Sequence, residues 1–153
     1  MARAMSAEPI QLRWTEGDRR VVIALEDQHR LAATVDEVIH ACRMRQKSED
    51  VSQVLNDLWQ ALASWCGQHA EKIKAAFCTV RDSGLLFVVV AKGVAFDRDL
   101  QDELVDLEIQ IARDEQYEQL QLTTLALPNC QPEGYWSFLN PSFCVSFEPP
   151  DAT

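Results

Sequence analysis

The sequence predicts an α+β domain, with two β-hairpins plus a further strand forming a sheet and about three helices packed on it. Three observations carry this. Two pairs of short β-rich runs each bracket a turn signal. Two stretches repeat apolar residues at steps of three and four, and a third opens on a capping signal. Hydrophobic residues make up 47% of the chain against 25% charged, ordinary globular usage that can fill one core. At 153 residues a single domain is expected, spanning 10–147 between a flexible N-terminus at 1–9 and a flexible C-terminus at 148–153.

Ile10 to Trp14 and Arg19 to Leu25 bracket Thr15-Glu16-Gly17-Asp18, which reads as a first hairpin, and Glu26 to Ala33 as loop. Thr34-Val35-Asp36-Glu37 is a capping box. It predicts a helix that ends with Arg43, Arg45 and Lys47, cations suited to the negative end of the helix dipole. Residues 50–73 carry the strongest helical pattern, with Val51, Val54, Leu55, Leu58, Leu62, Trp65, Cys66, His69 and Ile73 on one stripe and Gly67 as an early bend or end. Ala75–Arg81 and Leu85–Ala91, joined by Asp82-Ser83-Gly84, form the second hairpin. The run Leu85–Ala91 is apolar on both faces, so it belongs centrally in a sheet covered on both sides, or on one side plus a partner.

A third helix starts at an Asp97 or Asp99 cap and runs to about Asp114, burying Leu100, Leu104, Leu107 and Ile111. Its other face, with Asp99, Asp102, Glu103, Asp106 and Gln110, is expected in water. Gln119 to Leu127 is the last expected strand, closed by Pro128-Asn129. The remaining tail reads as polar turns around a dense aromatic set.

Charge and cysteines narrow the function classes. The net charge of −10 repels phosphate backbones and anionic lipid, which argues against nucleic acid and membrane partners. Residues 1–47 are nearly neutral, with eight basic and seven acidic residues, but that is no basic patch. No apolar run reaches the ~18–20 residues of a membrane span. Met1 to Pro9 lacks the apolar stretch of a signal peptide. Five cysteines, an odd number at irregular spacing, fit a reducing cytoplasm better than a disulfide scaffold.

Motifs for chemistry fall short one by one. A restriction-type nuclease needs Asp on one strand and Glu/Asp-x-Lys on the next; Asp82 and Lys92 fit, but Val90 stands where the second carboxylate belongs. Asp97-Arg98-Asp99 offers paired carboxylates of the kind nucleotidyltransferases use, yet at a helix start, where capping explains them. His40-x-Cys42 and Cys66-x-x-His69 are zinc-type pairs, but His40 and Cys42 point apart on a helix. Five single glycines make no phosphate loop. The sequence thus predicts no catalytic residue, no metal ligand and no cofactor. The alternative is a divalent-metal-dependent enzyme on nucleotides or nucleic acid, with Asp82, Asp97 and Asp99 as its carboxylates.

What remains is surface. Tyr135, Trp136, Phe138, Leu139 and Phe143 concentrate residue types that anchor protein interfaces. They predict a non-catalytic protein–protein interaction subunit with a protein partner: an adaptor, inhibitor or small chaperone-like protein of the cytoplasm. The competing expectation for the same rings is that the tail folds back over the open face of Leu85–Ala91. Self-association into a homodimer is a further expectation, through an edge of the second hairpin.

Overall fold

The chain alternates hairpins and helices so that one sheet is layered on one side by α-helices and on the other by a single irregular segment. A computed structural model describes residues 10–14, 21–23, 35–44, 48–81, 84–140 and 144–148. The expected flexible ends fall largely outside this set, as do Thr34, the loop 26–33, Asp82, Ser83 and Phe143. The strands are β1 (Ile10–Trp14), β2 (Val21–Ile23), β3 (Ile73–Arg81), β4 (Gly84–Ala91), β5 (Leu122–Leu127) and β6 (Cys144–Glu148). Among the described residues the helices of eight residues or more are α1 (Val35–Cys42), α2 (Ser48–Gln68) and α3 (Arg98–Arg113). The strands form one mixed sheet in the order β2-β1-β6-β3-β4-β5. Both expected hairpins form, β1 with β2 and β3 with β4, and β5 lies parallel to β4 after the α3 crossover. The arrangement is α+β, as expected.

Residue alternation along the strands separates two apolar layers. Ile10, Leu12, Cys78, Phe87, Val89 and Phe147 face the helices and join the larger core. Its centre is aromatic: Phe87 meets Trp65 and Phe147 edge-on, at 6.0 and 5.7 Å between ring centres, and Trp59 packs 6.4 Å from Phe147. The residues between them, Phe77, Val88, Val90 and Cys144, face the other way into a smaller cluster with Tyr135 and Leu139. β4 is therefore flanked by strands on both sides and covered on both faces, as its unbroken apolar run requires.

The helices differ from expectation at their ends. The first was expected to reach Arg45 and Lys47, but it stops at Cys42 because Arg43 turns into the left-handed region (φ 55°). Met44 N–H then donates to Ile39 O (2.9 Å) and Arg43 N–H to His40 O (3.2 Å), the paired bonds of a Schellman end with arginine where glycine is usual. Helix α2 runs through Gly67 and stops one residue later. Ile73, read as part of its stripe, opens β3 instead. Helix α3 buries Leu100, Leu104, Leu107 and Ile111 as its pattern demands. Asp97 is its cap, accepting from Leu100 N–H at 3.0 Å.

Two further corrections concern the sheet. The tail was read as turns, yet Cys144–Glu148 is a strand inserted between β1 and β3, parallel to one and antiparallel to the other. The second hairpin also has no open edge: β6 covers β3 and β5 covers β4, so among the described strands the edges are β2 and β5.

Candidate interaction surface

Past β5 the chain crosses the face of the sheet that the helices leave bare. Short hydrogen bonds hold this strap at both ends. At its start, Lys74 Nζ donates to Asn129 Oδ1 (3.0 Å) and Cys130 O (3.1 Å), while Asn129 Nδ2 donates to Lys92 O (2.8 Å). At its end, Asn140 N–H donates to Thr79 Oγ1 (2.8 Å) and Asn140 Nδ2 to Val80 O (3.1 Å). Between these ties, Pro132–Tyr135 (α4) and the 3-10 turn Trp136–Phe138 press Tyr135 onto Phe77, with ring centres 5.1 Å apart.

The residues singled out in the tail thus separate. Tyr135 and Leu139 are buried in the strap's own cluster. Trp136 is partly exposed, at 38%. Phe138 is half-buried, and Phe143 lies outside the described residues. Tail packing over the sheet therefore accounts for two of the five, and two keep surface a partner could reach.

Phe138 does more than pack. With Leu86 and Leu125 it lines an open groove of about 350 Å³ between the strap and β5, bordered by Arg81 and Thr123. Arg81 Nη1 donates to Phe138 O (2.8 Å), which fixes that wall of the groove. The other wall is the edge strand β5. Leu85 N–H donates to Gln121 O (2.7 Å), so odd-numbered residues of β5 bond to β4 and the N–H and C=O groups of Leu122, Thr124 and Ala126 point away from the sheet. One of these donors is occupied: Glu108, reaching down from α3, accepts from Thr124 N–H (3.1 Å) and Thr124 Oγ1 (2.7 Å).

Sequence reasoning missed four other exposed apolar side chains. Val94 and Phe96, on the loop between β4 and α3, are 84% and 61% exposed. Val105 and Ile109 lie on the outer side of α3, one turn apart. The readable signal for the first pair was large apolar residues in a segment with neither strand nor helix periodicity. Arg81 and Thr123 carried no signal at all, since only the fold brings them to one groove.

Four of the five cysteines are buried, and Cys130 is half-buried. Burial pushes the thiols of Cys42, Cys66 and Cys78 up, Cys78 well above the ordinary range, and raises Cys144 to about 12. All four stay protonated at neutral pH and make poor nucleophiles. Burial, then the nearby Asp57 and Asp114 carboxylates, raise Tyr117 to about 12. His69 is engaged by groups other than Cys66. The His69 ring stacks on Trp65 (4.2 Å between centres), its Nδ1 donates to Trp65 O (2.8 Å), and its Nε2 meets Glu103. Glu103, expected in water, thereby ties α3 to the end of α2. Among the described residues no three His, Cys, Asp or Glu side chains gather closely enough to hold a metal ion. No helix among them is long and apolar enough to cross a membrane.

Comparison of the chain with protein families, with curated proteins and with solved structures gives no match.

Proposed function

We propose that this protein is a non-catalytic interaction subunit, an adaptor, inhibitor or small chaperone-like partner of the cytoplasm, and that it receives its partner in the groove between Phe138 and β5. The supporting observation is the groove itself: an apolar floor of Leu86, Leu125 and Phe138 meets a guanidinium and a hydroxyl at the rim. That is the composition of a protein contact, with an aromatic anchor, aliphatic walls and a few orienting polar groups. Thiols kept protonated by burial and an aspartate engaged as a helix cap agree with a binding role.

The test is native mass spectrometry of complexes captured from the protein's own cells, run in parallel on wild type, Thr123→Arg and Leu125→Asp. Thr123 is exposed, so its replacement fills the groove without touching the core. The reading expects a defined partner at fixed stoichiometry with wild type, lost with both variants. Identical complexes with all three proteins would overturn it.

A further inference from the structure

Among the described residues no strand pairs with the outward row of β5, and such edges take up extended chains unless they are blocked. Among the same residues the block is one side chain. Glu108 sits on the helix-facing side of β5 and occupies the middle outward donor, Thr124 N–H. The outward groups of Leu122 and Ala126 flank it. Val105, one turn before Glu108 on α3, leaves exposed apolar surface on that flank of the helix. On the opposite side of the strand, Thr123 and Leu125 open into the groove. Backbone hydrogen-bonding groups, apolar surface on both sides and one carboxylate at the centre thus share one line.

We propose that β5 is a strand-pairing site gated by Glu108, and that its occupant is an extended segment of another protein carrying a lysine or arginine opposite Thr124. This rests on the interaction role proposed above and names the kind of partner. An incoming strand must supply a carbonyl to Thr124 N–H, which displaces the Glu108 carboxylate from its two donors. A cation on the incoming strand takes up that carboxylate, the incoming carbonyl takes up Thr124 N–H, and the Thr124 hydroxyl turns to that carbonyl or to water. A neutral strand leaves the carboxylate covered without a partner, and an acidic one adds repulsion. A second copy of this chain is a poor occupant for the same reason. Antiparallel β5–β5 pairing about Thr124 would press two Glu108 carboxylates together with no cation between them.

The experiment uses the full-length ¹⁵N-labelled protein and two synthetic strand-forming peptides of roughly eight residues, one alternating lysine with valine and the other glutamate with valine. The lysine peptide is expected to shift the amides of Leu122, Thr124 and Ala126 and to slow their exchange. It should bind at least about tenfold more tightly than the glutamate peptide, with the difference shrinking as salt is added. Ala126→Pro, which removes an outward N–H that the sheet does not use, should abolish binding while shifts elsewhere persist. Glu108→Gln should fold normally and bring the two peptides to similar affinities. The proposal is overturned if the lysine peptide leaves the β5 amides unmoved, if Glu108→Gln leaves the preference unchanged, or if those amides are protected without peptide in a concentration-dependent way, which would make a second copy the occupant. If the peptides fail while Thr123→Arg still abolishes partner capture, the strand-pairing mode falls and the interaction role stands.

Discussion

The two faces of the sheet are built from different materials. On one face, three helices cover it with long regular stripes, and the aromatic side chains Trp59, Trp65, Phe87 and Phe147 interlock at the centre. On the other, one irregular strap with a few polar ties covers part of the surface and leaves a groove beside an open edge. Many mutually supporting contacts build the first face, so it should open only when the whole protein unfolds. The second rests on fewer contacts and should open alone. The molecule carries its stability on one side and its accessible apolar surface on the other.

The largest effect should come from breaking the helical face. Trp59→Ala removes one of the largest fully buried side chains and should cost about 3–5 kcal/mol, seen as a drop in the denaturation midpoint with the slope unchanged. Tyr135→Ala also deletes a buried ring, but on the strap. It should cost less, about 2 kcal/mol, because the strap can detach without unfolding the sheet. Hydrogen exchange should then show faster opening of 130–140 with β3 amides still protected.

Smaller changes sharpen the account of the helix ends. Asp97→Asn keeps a competent cap and should move stability by a few tenths of a kcal/mol, whereas Asp97→Ala should cost about 1 kcal/mol. A carboxylate serving a metal would not tolerate the asparagine, so unchanged function in Asp97→Asn also excludes that role. The smallest effect runs the other way. Arg43→Gly relieves a left-handed arginine and should stabilise the protein by up to about 1 kcal/mol, read as a higher melting temperature.

What could be read in the sequence follows the same division. The stripes of α2 and α3 and the apolar run of β4 were legible, because a long period is a local property that many residues report together. The end of α1 was not, since Arg43 does the work of a glycine and nothing in its identity says so. Strand β6 was missed because five residues among prolines carry little signal. Cys144-Val145-Ser146-Phe147 does alternate correctly, but its place between β1 and β3 depends on pairing across most of the chain. Of the described tail aromatics, only Phe138 and Trp136 keep accessible surface. Neither the groove nor the Glu108–Thr124 contact could be read locally, because the fold assembles each of them from separate elements.

The cysteines report on the two faces without any substitution. Cys130 lies on the strap and Cys144 beneath it, whereas Cys42, Cys66 and Cys78 sit in the helical core. Burial holds the Cys144 thiol near 12 and raises the three core thiols, so each must be exposed before it reacts. Time-resolved thiol labelling of the native protein, read by mass spectrometry, should find Cys130 modified first. Cys144 should follow as the strap opens, and the core thiols should react only at the rate of global unfolding. If Cys144 instead reacted together with Cys66 and Cys78, the strap would be part of one cooperative unit and the division between the faces would be wrong.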